Sequence, residues 1–141
     1  MNSITSLTNS KVKQIIRLLN SKAARYEQNL AVVHGVHLVE EALKYNLLHM
    51  VFINREKVDN YTHLLKDIND DSIYLISDEI LTKINIADTV VDVIGIIKIK
   101  AKVIDKCVYE GDCVVLDNVQ DPGNLGTILR SCAACGINNV L

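Results

Sequence analysis

Short apolar runs rich in β-branched residues alternate along this chain with amphipathic segments of about ten residues. The apolar runs occupy residues 30–34, 50–53, 73–76 and 93–99. The segments that predict helices occupy residues 36–45, residues 60–68 and a stretch that opens at Ser77. Strands that alternate with helices form a parallel or mixed sheet covered by helices. The pattern therefore predicts the α/β class for this part of the chain.

A basic segment precedes this alternation. Residues 10–19 predict an amphipathic helix whose apolar stripe faces inward while Lys11, Lys13 and Arg17 face outward. The basic residues of positions 1–29 are Lys11, Lys13, Arg17, Lys22 and Arg25, and Glu27 is the acidic one. Residues 51–141, in contrast, carry 9 basic and 14 acidic side chains. This asymmetry indicates either a local patch that faces phosphates or an ordinary solvated helix face.

The sequence shows neither a secretion signal nor a membrane span. Residues 1–29 lack a continuous apolar core, and no window approaches the roughly 20 apolar residues that cross a bilayer. The four cysteines, Cys107, Cys113, Cys132 and Cys135, lie in apolar contexts. We therefore expect reduced thiols and a cytoplasmic protein. Cys132 and Cys135 form one C-x-x-C without a second pair, which favours two small buried helix residues over a metal or redox site.

A second α/β unit begins after the charged segment 100–112, which reads as a linker. It contains a predicted strand at residues 113–117, a helix at 122–135 and a short strand at 138–141. We place the domain boundary between residues 104 and 105. A single strand-helix-strand unit cannot bury both faces of its strands. This unit either packs on the first domain or belongs to a larger domain.

The turn and helix at residues 117–135 carry the strongest functional signal. Asp121 and Pro122 are typical of a helix start, so Asp121 is more readily a cap than a catalytic acid. On the helix, Leu125, Ile128, Leu129 and Cys132 share a side that predicts core, and Asn124, Thr127, Arg130 and Ser131 share the other. Arg130 is the only charged residue after Asp121. Either it holds an anion or a sugar hydroxyl, or it pairs with a distant acid.

Residues 118–133 resemble the first motif of the SpoU (TrmH-like) RNA ribose 2′-O-methyltransferases. That motif reads Asp-Pro-x-Asn-x-Gly-x-x-x-Arg-[Ser/Thr]-Ala, and this chain matches it from Asp121 to Ser131, with Cys132 in place of the final alanine. The basic segment at positions 1–29 and residues 32–42 are similar to the substrate-binding domain that often precedes the catalytic domain of this family. His34-Gly35 departs from the Glu-Gly that is usual there.

The resemblance implies a small α/β/α substrate-binding domain over residues 1–104. Residues 105–141 would start an incomplete SPOUT (trefoil-knot) methyltransferase domain. It also implies S-adenosylmethionine-dependent methylation of structured RNA, with ribosomal RNA favoured over transfer RNA. Arg130 would act on the ribose hydroxyl and adjacent phosphate, and Asn124 would order the site. The RNA contacts of the first domain would come from Lys11, Lys13, Arg17, Lys22 and Arg25.

The family motifs that bind the cofactor would lie beyond Leu141. We therefore expect this 141-residue chain to be inactive alone and to bind S-adenosylmethionine weakly or not at all. The family forms homodimers through its knotted domain, which leaves the oligomeric state of this chain open. Two alternatives are a non-catalytic RNA-binding protein and an unrelated α/β nucleotide-binding module. The motif argues against the second, because it is neither a P-loop nor a G-x-G-x-x-G.

Overall fold

A computed structural model describes residues 1–85, 90–100 and 111–141 of the chain. The chain divides into two compact units, Met1–Ala101 and Lys102–Leu141. The boundary expected between residues 104 and 105 lies outside the described residues, as does most of the predicted linker 100–112. None of the described helices is long and apolar enough to cross a membrane.

The first unit is built on a five-stranded mixed sheet with the strand order β1-β4-β3-β5-β2. The strands are β1 (Asn2–Ile4), β2 (Leu30–His34), β3 (Leu48–Asn54), β4 (Ile73–Ile76) and β5 (Val93–Lys98). Strands β1, β4 and β3 run parallel, whereas β5 pairs antiparallel with both β3 and β2. The sheet was expected to be parallel or mixed. It is mixed, because β5 lies between β3 and β2 and runs opposite to both of them.

Helices cover both faces of this sheet. They are α1 (Ser10–Asn20), α2 (Lys22–Gln28), α3 (Val36–Lys44), α4 (Thr62–Leu65) and α5 (Asp78–Ile84), with 3-10 helices at Arg55–Tyr61 and Asp70–Ser72. One core cluster joins α1 and α5 to the sheet, and a second joins α3 and α4. The α/β/α architecture that the resemblance implies is confirmed.

The side chains of β3 show how one strand serves both cores. Phe52 faces the α1 side, and its neighbours Val51 and Ile53 face the α3 side, because successive strand residues point to opposite faces. On the α3 side the helix comes unusually close to β5. A Cβ on Gly95 would lie 3.0 Å from a methyl group of Val39, so the missing side chain permits this close packing.

Three local features of the first unit were not predicted correctly. The sequence reasoning missed β1 and α2, in which only Ile4 and Ala24 are buried. It also predicted a helix over residues 60–68, where the chain forms a 3-10 helix followed by the four-residue α4. The buried Asn54 side chain starts that 3-10 helix by accepting a hydrogen bond from the Glu56 N–H at 3.0 Å. The Asn54 amide also donates to the Asp78 carboxylate at 2.6 Å, and this tertiary anchor leaves no periodic signal in the sequence.

The second unit contains a two-stranded parallel sheet and one helix. β6 (Cys113–Val114) pairs with β7 (Asn139–Val140), and α6 (Pro122–Ala134) connects them. The predicted strand 113–117 is shorter than expected, but the Leu116 N–H continues the pairing by donating to the Leu141 carbonyl at 2.7 Å.

The apolar side of α6 departs from the predicted core. Cys132 is buried, but Leu125 and Leu129 are 36% and 43% exposed, because the described part of this unit places little chain against them. The interpretation of both C-x-x-C cysteines as buried was wrong for Cys135. This residue ends the helix as its C-cap and is exposed.

Candidate functional site

The amino end of α6 is held in place by its own side chains. The Asp121 carboxylate accepts a hydrogen bond from the Asn124 N–H at 2.7 Å, and Pro122 occupies the first turn. The predicted capping role of Asp121 is confirmed. A Cβ on Gly123 would lie only 2.9 Å from that carboxylate oxygen, so a glycine is required for the cap to form undisturbed.

Arg130 lies on the exposed surface of α6, two turns from the cap. Its Nη2 donates to the Thr127 hydroxyl at 3.1 Å, and that hydroxyl donates to the Gly123 carbonyl at 3.0 Å. The guanidinium lies over Gly126, where a Cβ would be in ordinary van der Waals contact with Nη1 at 3.5 Å. In the described part of the chain no acidic side chain pairs with Arg130. The guanidinium is therefore oriented by a neutral hydroxyl and keeps its charge and most of its donors available.

A cleft of about 590 Å³ opens at the amino end of α6. The residues that line it are Asp117, Asn118, Val119, Gln120, Asp121, Asn124, Thr127 and Ile128. Asn124 and Thr127 thus face the same space, and the Thr127 hydroxyl links that space to Arg130. The two predicted catalytic residues, Asn124 and Arg130, share this neighbourhood without a direct hydrogen bond between them in the described structure.

The turn before α6 contributes Asn118, with which the motif resemblance begins, and Gln120, which sequence reasoning did not single out. Asn118 adopts a left-handed backbone with φ of 53°, which asparagine tolerates better than most residues. Its side-chain oxygen accepts a hydrogen bond from the Gln120 amide. These contacts shape one wall of the cleft. An asparagine that follows a strand and precedes a helix start is the sequence signal that could have identified them.

Three of the five predicted RNA contacts of the first unit lie on α1. A cleft of about 620 Å³ is lined by Ser10, Lys11, Lys13, Gln14, Arg17, Glu27 and Gln28. Lys11 also places its Nζ 5.9 Å from the centre of the Tyr74 ring, which lies against Phe52 in the core. Lys11, Lys13 and Arg17 therefore form one exposed surface, which we call the α1 cleft.

The five predicted RNA contacts differ in whether their charged groups already have a partner within the protein. Arg17 forms an ion pair with Glu27 at 2.8 Å, and Lys22 lies 5.8 Å from the Tyr26 ring centre outside the α1 cleft. Arg25 donates to the Leu18 and Leu19 carbonyls at 2.6 and 3.1 Å, so it satisfies the carboxyl end of α1. Lys13 is exposed, and no acid or ring contacts it among the described residues, whereas Lys11 is half-buried above Tyr74.

A polar cluster at the start of β5 has a structural explanation. Asp92 accepts hydrogen bonds from Lys57 at 2.8 Å and from the Tyr61 hydroxyl at 3.2 Å. Burial, and then the nearby Asp92 charge, raise the pKa of Tyr61. The hydrogen bond to Asp92 also raises the pKa of Lys57. These contacts fix the 3-10 helix to β5, next to the turn at His34 and Gly35. Among the described residues no cluster suited to a metal ion occurs.

Comparison with known proteins agrees with this geometry. Residues 9–110 match the MRM3-like substrate binding domain, and residues 112–141 match the SpoU rRNA Methylase family. The chain therefore belongs to the family of the MRM3-like substrate binding domain, and its second unit is similar to the SpoU rRNA methylases. The resemblance noted at the α6 motif and the basic head is thus confirmed for both units.

Three relatives define the family context. The chain is 29% identical to the 23S rRNA (guanosine(2553)-2′-O)-methyltransferase RlmP of Bacillus subtilis and covers 54% of it, with 100% of this chain aligned. It is 32% identical to the uncharacterized tRNA/rRNA methyltransferase slr1673 of Synechocystis, with 98% of this chain and 51% of the relative covered. The AdoMet-bound rRNA methyltransferase of Sinorhizobium meliloti superposes with a TM-score of 0.78 at 29% identity, over 99% of this chain and 53% of that protein.

The chain spans about half the length of the relatives it matches. S-adenosylmethionine is the methyl donor of the family, as its presence in the Sinorhizobium structure indicates. In the described second unit, the space beside α6 is an open cleft lined mainly by polar side chains. No aromatic side chain is among its described lining residues, and two of them are the carboxylates of Asp117 and Asp121, so these residues alone do not make a fitting cofactor pocket.

Proposed function

We propose that these residues form the RNA-binding and ribose-positioning part of an S-adenosylmethionine-dependent RNA 2′-O-methyltransferase. The observation that carries the proposal is Arg130, a guanidinium held by Thr127 and unpaired with any acid among the described residues, in a helix that matches the SpoU motif. The first unit would hold structured RNA and the second would present one ribose for methylation. Relatives named as rRNA methyltransferases favour ribosomal RNA over transfer RNA as the target.

Arg130 would act mainly through position and charge. Methylation makes a bond from the ribose 2′-oxygen to a methyl group supplied by S-adenosylmethionine, and the hydroxyl proton must leave. A guanidinium can hold the adjacent phosphate through two hydrogen bonds and stabilise the negative charge that develops on the 2′-oxygen. Guanidinium groups stay protonated in proteins. Proton acceptance by Arg130 is therefore the secondary part of its role.

Asn124 would order the substrate side of the site. Its backbone N–H is used by the Asp121 cap, which leaves the side-chain amide facing the cleft shared with Thr127. An amide offers both a donor and an acceptor to a ribose or phosphate without adding charge. This combination supports a positioning role for Asn124 next to the cation of Arg130.

Reversal of the charge of Lys11 and Lys13 tests RNA binding by the first unit. The double variant Lys11→Glu/Lys13→Glu should bind an rRNA hairpin about tenfold to a hundredfold more weakly in 0.1 M salt, because phosphate contacts dominate such affinities. The slope of log affinity against log salt should fall by at least about one unit per lysine. Fluorescence anisotropy with a labelled hairpin measures both quantities.

The matched control reverses Lys44 and Lys66, which are exposed and belong to the α3 and α4 side of the sheet. This variant changes the net charge equally and should retain most of the affinity and the salt slope. Equal losses in the two variants would show that only overall charge matters. An unchanged slope in the Lys11/Lys13 variant would exclude the α1 cleft from the RNA surface.

A measurement of S-adenosylmethionine binding distinguishes this proposal from the possibility that these 141 residues form a complete cofactor site. We expect isothermal titration calorimetry to detect weak or no binding of S-adenosylmethionine to the 141-residue chain, since its second unit offers only an open polar cleft. Binding with a micromolar dissociation constant would contradict this expectation. A purely RNA-binding role is the alternative, and the Arg130 variants described below distinguish it from catalysis.

A further inference from the structure

A second basic cleft lies beside the α1 cleft, at the carboxyl end of β5. It has a volume of about 420 Å³ and is lined by Gln28, Asn29, Leu30, His49, Lys98, Ile99 and Lys100. We call it the β5 cleft. Gln28 lines both clefts, and its side-chain oxygen accepts a hydrogen bond from the Gln14 amide at 2.9 Å. The two depressions therefore share one wall and form a continuous surface of the first unit.

The backbone fixes the position of the β5 cleft. The Lys98 N–H donates to the Leu47 carbonyl and the Ile99 N–H to the Asn29 carbonyl, both at 2.8 Å. The pairing of β3 with β5 shifts register between Leu48 and Met50, so His49 is the extra residue of a β-bulge. Bulges redirect side chains at sheet edges. This bulge places the His49 imidazole in the cleft with Lys98 and Lys100.

The charges of the β5 cleft are uncompensated locally. Lys98 and Lys100 are exposed, and the described residues that line the cleft include no acidic side chain. The α1 cleft, in contrast, contains Glu27, which pairs with Arg17. Burial, then the charge of Lys98 and then that of Lys11 lower the pKa of His49. Lysines of both clefts thus act on one imidazole, which indicates a single positive field across the shared wall.

We infer that the β5 cleft extends the RNA-binding surface, so that one phosphate backbone runs from Lys11 and Lys13 past Gln28 to Lys98 and Lys100. The inference rests on the proposed RNA-binding function. The apolar floor formed by Leu30 and Ile99 suits an unpaired base of the same strand, and the lysines around it suit its phosphates. His49 adds a third cation to the path when it is protonated.

Neutralisation of Lys98 and Lys100 tests the path in the 141-residue chain. The variant Lys98→Gln/Lys100→Gln should bind a labelled rRNA hairpin with a single-stranded flank about tenfold more weakly in 0.1 M salt. Its salt slope should fall by about two units, which is one per phosphate contact. The control Lys44→Gln/Lys66→Gln removes the same charge from the other side of the sheet and should leave the slope unchanged.

A pH series gives a readout that loss of charge alone does not. A phosphate near His49 would oppose the fields of Lys98 and Lys11 and raise the pKa of His49, so RNA binding would take up a proton. The affinity of the unaltered chain should therefore rise between pH 7.5 and pH 5.5 by about threefold to tenfold more than that of His49→Gln. The other histidines contribute equally to both proteins.

The outcomes separate the inference from the proposed function. If the Lys11/Lys13 variant loses affinity while Lys98→Gln/Lys100→Gln keeps both its affinity and its salt slope, the inference is overturned and the RNA-binding function stands. Equal slopes in the Lys98/Lys100 and Lys44/Lys66 variants would also overturn it. If the unaltered chain binds no RNA at all, the proposed function fails and the inference fails with it. A slope loss in both the Lys11/Lys13 and the Lys98/Lys100 variants but not in the Lys44/Lys66 variant, together with the His49-dependent rise at low pH, supports the path.

Discussion

Replacement of Arg130 with alanine is expected to reduce methyl transfer to RNA by about a hundredfold to a thousandfold, the usual effect of removing one donor to a developing oxyanion. The measurement uses a fusion in which residues 1–141 replace the matching part of Bacillus subtilis RlmP. The substitution truncates an exposed side chain whose one described hydrogen bond goes to Thr127. We therefore expect α6 to remain folded and RNA affinity to change little.

Two controls give this result its meaning. Arg130→Lys keeps the charge but loses the planar pair of donors, so its activity should fall between those of the unaltered fusion and the alanine variant. Cys135→Ala changes an exposed residue at the opposite end of α6 and should leave turnover unchanged. Near-normal turnover in Arg130→Ala, with the fusion itself active, would reject the role assigned to Arg130.

The largest loss of stability is expected from Phe52→Ala. Phe52 is fully buried in the core between the sheet and α1, and it stacks on Tyr74 with ring centres 5.1 Å apart. Removal of a buried phenyl ring leaves a cavity and typically costs about 3–5 kcal/mol. We expect the free energy of unfolding of the first unit, measured by urea denaturation followed by circular dichroism, to fall by about this amount.

This variant also connects the core to the α1 cleft. Tyr74 carries Lys11 above its ring, so loss of the Phe52 ring should loosen the support of one proposed RNA contact. The control is Tyr45→Ala, since Tyr45 is largely exposed and should change stability by no more than about 0.5 kcal/mol. A loss below about 1 kcal/mol for Phe52→Ala would contradict the packing described for this core.

The architecture of the first unit could be predicted because its elements are long enough to carry periodicity. The strand predicted at residues 30–34 and the helix predicted at 36–45 correspond to β2 and α3 within one residue. β1 could not be predicted, because its three residues owe their pairing to β4, which lies some seventy residues later. The start of the 3-10 helix depends on Asn54, which is held in the buried position by Asp78, a residue 24 positions later that no local pattern connects to it.

The candidate site shows the same division between local and tertiary information. The Asp121 cap and the position of Arg130 on α6 follow from the spacing of a helix start. The hydrogen bonds of Arg25 to the carboxyl end of α1 could not be predicted, because a count of charges does not show which cations already have a hydrogen-bond partner in the fold. The β5 cleft was missed because His49, Lys98 and Gln28 come from three elements that only the folded sheet brings together.

The central claim is that the Arg130 guanidinium positions a ribose 2′-hydroxyl and stabilises the negative charge that develops on its oxygen. The most direct test supplies the RlmP fusion with S-adenosylmethionine and rRNA, digests the product to nucleosides and locates the methyl group by mass spectrometry. The account predicts a 2′-O-methylated nucleoside whose yield falls at least about a hundredfold in Arg130→Ala. A methyl group found only on a base, or a 2′-O-methyl yield that does not depend on Arg130, would contradict it.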